Sequence, residues 1–297
     1  MFRGRERRKS MKKKYLSILC SCMLSVTMAL ASIMPGMKDV QGISKVYQVK
    51  AEDGVITSGD WEYKIYNSYN DEIEIIKYNG NDKELKVPET IDEHKVVSIS
   101  QFAIDYEPLT TITFPKTIES IGSSGQEFRK GKNLISIKVE GSKYGDKYWT
   151  DEDGTLYSYY MTHTDQDQTE YTDYLTLIYC PKARNSKSYT IDDKVTAIDR
   201  DAFADCYSLE EVKLGNGVQK IEVGAFTNCT NLTSLDLPKS VKKIGYNAFV
   251  RCDKLASYNV AKENESYCDV DGVLYTKNKM KLYLPSALRT AAFSPLE

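Results

Sequence analysis

Cys206, Cys229 and Cys252 recur at intervals of 23 residues. Thiols so placed could bind a metal or form disulfides, and each use demands its own spacing. A structural metal site needs closely paired ligands such as CxxC, which the chain lacks. Disulfides need partners, yet outside the first 31 residues the thiols number five, with Cys180 and Cys268 completing the set. An odd count on a fixed period cannot pair fully. The expected state is a column of buried free thiols, each serving as a small hydrophobe.

The other reactive side chains are as sparse. The only histidines are His94 and His163. His94, in IDEHKVV, reads as a solvated residue in a turn before the first coil. His163 opens a loop whose Asp165, Asp167 and Glu170 could gather calcium, but the loop lacks the glycine and the ligand spacing of an EF-hand. The acidic phrase DEDG reads as a hairpin turn. Glu211 and Asp236 could approach across strands about 4.8 Å apart, but a shallow exposed pair has no means of raising one carboxyl for glycosidase work. Neither GxSxG nor a phosphate-cradling glycine motif is present. No catalytic residue, metal or cofactor is expected, and the chain is not expected to be an enzyme.

The spacing itself is the stronger signal. VTAIDRDAFADCYSLEEVKLGNG from Val195, VQKIEVGAFTNCTNLTSLDLPKS from Val218 and VKKIGYNAFVRCDKLASYNVAKE from Val241 share one apolar pattern. Counting the opening Val as zero, Ile falls at +3, Ala-Phe at +7 and +8, Cys at +11, Leu at +14, and apolar residues at +17 and +19. Weaker copies start at Val96 and Ile118. In the second, Gly125-Gln126 replaces Ala-Phe, and Phe128 is expected to slip into its place. A period of 23 is too short for a pair of helices and fits one turn of a solenoid that buries its apolar side against neighbouring turns.

The chain divides accordingly. Residues 1–31 set a basic stretch before a short apolar run and the small-x-small site Ala29-Leu30-Ala31, the pattern of a secretion signal with Met11 as its start and Ser32 as the first mature residue. A membrane anchor and a lipoprotein box at Cys22 are the competing readings; the apolar run falls short of the roughly 20 residues a span needs. Residues 32–95 form a lead-in and β-rich cap, 96–142 the first repeats, 143–194 a strand-bearing excursion, 195–263 the three regular repeats, and 264–297 a second hairpin excursion. The phrases DGTLY and DGVLY open related passages in the two excursions. After Pro285 little sequence is left, so a C-terminal cap is expected to be missing. Removal of residues 1–31 leaves a formal net charge of about -9, which repels phosphate backbones, so nucleic acid is not an expected partner. No stable membrane span is expected once the signal is removed. Tyrosine is abundant, with 22 residues, and the cluster near 155–180 is the expected place for a specificity-bearing loop.

The unit VxxIxxxAFxxCxxLxxLxLPxS closely resembles the BspA-like, or treponemal-type, leucine-rich repeat of bacterial surface proteins. That resemblance implies a right-handed solenoid with short parallel strands on one side and inserted β-hairpins. It further implies secretion or display at the cell surface, and non-catalytic binding or adhesion to protein or glycan of a host or neighbouring cell. The alternative role is a passive scaffold that displays another module. Carried onto this chain, the strands would be Leu109 to Phe114, Leu134 to Val139, Leu209 to Leu214, Leu232 to Leu237 and Leu255 to Val260. Their outward residues would form the binding face: Thr110, Thr111 and Thr113; Ser136 and Lys138; Glu210, Glu211 and Lys213; Thr233, Ser234 and Asp236; Ser257 and Asn259.

Overall fold

A computed structural model describes residues 54–104, 106–122, 128, 131–163, 171–278 and 282–283. The secretion-signal segment, the acidic loop with Asp165, Asp167 and Glu170, the Gly125-Gln126 pair and the C-terminal stretch after Tyr283 lie outside the described residues.

Within a repeat the chain makes two short strands joined by tight turns, and no α-helix occurs among the described residues. The turns coincide with the conserved spacing of the repeat. Leu209, Leu232 and Leu255 each donate their N–H to the carbonyl of the cysteine three residues back, at 3.2, 3.1 and 3.0 Å. Val218 and Val241 do the same to Gly215 and Pro238, at 3.1 and 3.2 Å. The C-x-x-L spacing is thus a turn and cannot be part of a strand, so each long strand starts two residues later than its leucine. The observed strands are Thr111–Phe114, Ser136–Val139, Glu211–Lys213, Ser234–Leu237 and Ser257–Val260.

In chain order, β1 (Ile56–Ser58), β2 (Trp61–Asn67) and β3 (Glu72–Tyr78) form an antiparallel ribbon, followed by β4 (Glu84–Lys86), β5 (Thr90–Ile91), β6 (His94–Ile99), β7 (Thr111–Phe114), β8 (Ser120–Ile121) and β9 (Ser136–Val139). β3, β6 and β8 pair in parallel as one column, and β4, β7 and β9 as the other. The segment read as a cap therefore already contains a coil, made of β3 and β4. His94 is likewise placed differently from expectation. Asp92 and Glu93 take the turn, with φ of 51° and 70°, and His94 is the half-buried first residue of β6.

The excursion repeats this arrangement. β10 (Tyr148–Thr150), β11 (Leu156–His163) and β12 (Tyr171–Tyr179) run antiparallel, and β12 with β13 (Ser188–Thr190) forms the first coil of a second stack. β14 (Ala197–Ile198), β16 (Lys220–Ile221) and β18 (Lys243–Ile244) continue from β12 as a short-strand sheet. β15 (Glu211–Lys213), β17 (Ser234–Leu237) and β19 (Ser257–Val260) continue from β13 as a long-strand sheet. β20 (Tyr267–Val270), β21 (Val273–Thr276) and β22 (Leu282–Tyr283) then begin another antiparallel ribbon. The result is a leucine-rich-repeat solenoid with inserted hairpins, in which each coil carries strands in two sheets. The short-strand sheet was not legible beforehand because a two-residue strand has no detectable alternation.

Both Asp-Gly phrases end a stack in the same way. The N–H of Ile137 on β9 donates to the Gly154 carbonyl at 3.2 Å, and that of Tyr258 on β19 to the Gly272 carbonyl at 2.9 Å. On the short-strand side, the N–H of Ile121 and that of Ile244 donate to the hydroxyls of Tyr148 and Tyr267, at 3.4 and 2.8 Å. Edge donors that would otherwise lack a partner are thereby satisfied. Glycine is required at both turns: φ is +75° and +76°, and a Cβ would meet Ser136 Oγ at 2.5 Å or Ser257 Cβ at 2.9 Å. The turns themselves differ. Asp271-Gly272 is a two-residue hairpin with both φ positive, whereas residues 151–155 form a longer loop.

The core is a set of like-with-like columns. Phe203 and Phe226 stack at 4.9 Å, and Phe226 and Phe249 at 5.6 Å. In the Val96 coil, Ala103 and Ile104 fill the Ala-Phe places while Phe102, at φ 63°, faces solvent. Phe128 is buried between Phe114 and Tyr179, at 6.2 and 5.1 Å, as its expected role requires. Cys180, Cys206, Cys229 and Cys252 are buried free thiols. Cys229 and Cys252 donate to the carbonyls of Phe203 and Phe226 on the preceding coil, at 3.0 and 3.1 Å. For the chain from residue 32, a thiol reagent is expected to label at most Cys268 in the native state and all five thiols after denaturation. Fast native labelling of two or more would contradict the buried column.

Two positions per repeat adopt left-handed backbone. Asp201, Gly224 and Asn247 occupy the first, and Asp205, Asn228 and Arg251 the second. Five of the six are residue types that tolerate positive φ, a signal the apolar pattern had hidden. Arg251, at φ 60°, is the exception. Arg251→Asn is expected to raise stability by about 1 kcal/mol by relieving that conformation, measured by urea unfolding. Destabilisation would show that the arginine side chain makes a compensating contact.

Candidate functional site

The long-strand sheet of the second stack presents two outward rows. Register places Ser188, Glu211, Ser234 and Ser257 in one, and Thr190, Lys213, Asp236 and Asn259 in the other. In the first stack, Thr111 faces Ser136 and Thr113 faces Lys138. The expected face residues within the strands are thus brought together as rungs about 4.8 Å apart. Thr110, Glu210 and Thr233 are not among them, since they precede the strands. The hydroxyls of Thr110 and Thr233 donate to the carbonyls of Lys83 and Glu210, at 2.9 and 3.2 Å, stitching one coil to the one before it. Ser136 and Ser257 lie beside the capping glycines and are only half-exposed.

Polar groups on and beside this face engage one another. Lys213 pairs with Glu211 at 3.6 Å, Lys187 with Glu210 at 2.9 Å, and Asn259 donates to Asp236 at 2.7 Å. The Glu210 carboxylate holds Lys187 above the usual lysine range, first through its hydrogen bond and then through charge. Glu211 and Asp236 sit diagonally, because Glu211 faces Ser234 and Asp236 faces Lys213. Among the described residues, no group of three or more His, Cys, Asp and Glu is arranged to hold a metal.

Two concavities escaped the sequence. A cleft of about 520 Å³ opens beside β13, lined by Trp149, Asp151, Tyr157 and Tyr189 among others. Asp151 is its hub: one carboxylate oxygen accepts the Thr155 N–H at 2.8 Å, and the other accepts the hydroxyls of Tyr157 and Tyr189 at 3.0 and 2.7 Å. Burial first, then neighbouring charge, that of Asp151 included, pushes both phenols above the ordinary tyrosine range. A groove of about 500 Å³ runs over the short-strand sheet from Tyr160 and Tyr174 to Lys242 and Lys243. Only the tyrosine richness of residues 155–180 hinted at it.

Residues 71–147 and 179–290 match the BspA type leucine rich repeat region, in six copies. The chain belongs to the BspA type leucine-rich repeat family. The match starts at the coil formed by β3 and β4 and leaves out most of the β11–β12 hairpin, as the two-stack architecture requires. Solved leucine-rich repeat structures are also similar. A leucine rich cell surface protein from Faecalibacterium prausnitzii is 25% identical over 75% of this chain and 58% of its own, with a TM-score of 0.49. A protein from Eubacterium ventriosum is 16% identical over 69% and 71%, with a TM-score of 0.44. One from Bacteroides ovatus is 22% identical over 69% and 52%, with a TM-score of 0.43. The chain thus spans little more than half the length of the first of these relatives. No curated protein matches the chain. Among the described residues, no helix is long and apolar enough to cross a membrane.

Proposed function

We propose that this BspA type chain is a secreted or surface-displayed protein that binds a protein or glycan of a host or neighbouring cell and does not transform it. The observation that carries this reading is the pair of outward rows kept in register across β13, β15, β17 and β19. A rigid repeated rung suits an extended partner, because it offers one contact pattern several times at fixed spacing. The internal pairing of Glu211 with Lys213 and of Asp236 with Asn259 favours a second reading, in which the face is merely solvated and the solenoid is a spacer.

A pull-down separates the two. The chain from residue 32 is expected to retain a saturable partner from host-mucosal or bacterial-surface extracts. The triple variant Glu211→Arg, Asp236→Arg, Asn259→Arg is expected to lose at least about tenfold in apparent affinity. Identical background on both proteins would favour the spacer.

A further inference from the structure

The groove over the short-strand sheet combines an aromatic wall, a polar floor laid out in register and lysines at its far end. Its first wall is aromatic. Tyr160 and Tyr174 stand directly opposite on β11 and β12 and stack with ring centroids 5.0 Å apart and planes 11° from parallel. Tyr160 is 53% exposed, so this pair lies outside the core and presents aromatic surface to solvent. The apolar face of a pyranose ring packs on such a surface, and a phenol adds a polar edge.

The floor is polar and laid out in register. Ser158, Thr176, Ala197, Lys220 and Lys243 follow one another across β11, β12, β14, β16 and β18. Three strand steps separate Thr176 from Lys243, about 14 Å, which exceeds the width of one sugar ring. Gln219 also lines the groove, adding an amide donor and acceptor.

The far wall is cationic. Lys220 is ion-paired with Glu222, and Asp199 accepts only the uncharged backbone N–H of Arg200 at 2.7 Å, so the lining carries three lysines against two carboxylates. Lys242 and Lys243 are exposed and have no carboxylate in ion-pair range among the described residues. Two lysines without an ion-pair partner among the described residues, at one end of a groove, stand out on a chain whose net charge beyond residue 31 is about -9. A ligand that complements both ends has an apolar ring face at one end and a carboxylate at the other.

We infer that this groove binds a short oligosaccharide containing a carboxylated pyranose, a hexuronate or a sialate, with one ring on the Tyr160–Tyr174 pair and the carboxylate at Lys242 and Lys243. The site lies on a different sheet from the long-strand face and does not depend on it.

Calorimetric titration of the chain from residue 32 tests the assignment with four probes: a hyaluronan tetrasaccharide, 3′-sialyllactose, neutral cellotetraose and a tetraglutamate peptide. One or both acidic sugars are expected to bind saturably, about tenfold or more tighter than cellotetraose and tetraglutamate, and more weakly as salt rises. Which acidic sugar binds distinguishes hexuronate from sialate. Tyr174→Ala and the pair Lys242→Gln, Lys243→Gln are each expected to weaken that binding about tenfold. The long-strand triple variant is expected to leave it unchanged, so failure of one site does not imply failure of the other. The lysine positions are exposed, so that variant reports on binding even if Tyr174→Ala misfolds. The inference is overturned if neither acidic sugar binds, if tetraglutamate or cellotetraose binds equally well, or if the lysine variant binds like the parent.

Discussion

Phe226→Ala is expected to lower the unfolding free energy by about 4 kcal/mol, the loss found when a large aromatic is cut from a packed core. Phe226 is fully buried and stacks on Phe203 on one side and Phe249 on the other, at 4.9 and 5.6 Å. A solenoid coil touches only its neighbours, so stability is a chain of nearest-neighbour terms. Truncation in the middle coil weakens two of those terms at once, whereas Phe249→Ala removes its stack on Phe226 and its edge contact with Tyr258. Urea unfolding checks the magnitude, with the exposed Tyr246→Ala as a control expected to change stability by no more than about 0.5 kcal/mol. A Phe226→Ala loss below about 1 kcal/mol would contradict the packed column.

Asp151→Ala is expected to cost about 3 kcal/mol, because it strands donors that have little access to water. The carboxylate accepts from Thr155, Tyr157 and Tyr189, and Tyr157 and Tyr189 are only 3% and 5% exposed. The same hub predicts a pH dependence. Both phenols hold their protons above the ordinary tyrosine range in the folded chain, so above about pH 10 the unfolded chain binds fewer protons than the native one. Stability is therefore complete below that pH and falls as pH rises beyond it, by about 2.7 kcal/mol per unit for two tyrosines. Ultraviolet titration is expected to show Tyr157 and Tyr189 ionising only on unfolding. Their ionisation in the native protein near pH 10, or an Asp151→Ala variant as stable as the parent, would refute the role of this hub.

The apolar spacing by itself determined that the chain is a solenoid and that Cys206, Cys229 and Cys252 line its interior. Burial obeys a local rule here: each coil meets a near-copy of itself, so a residue's position in the repeat fixes whether it points inward. The family resemblance, laid onto that spacing, located the outward residues Thr111, Thr113, Glu211, Lys213, Ser234 and Asp236 on their strands. It misplaced Thr110, Glu210 and Thr233, because the turn closed by the C-x-x-L hydrogen bond delays each strand, and backbone bonding leaves no mark in an apolar pattern. Tertiary structure alone decided the rest. The stacking of Tyr160 on Tyr174 and the Asp151 hub depend on pairing between segments that share no repeat. Residues 14 apart meet in the tyrosine pair, and residues 38 apart in the bond from Tyr189 to Asp151. Such contacts are set by the path of the inserted hairpins, so periodicity could not reveal them.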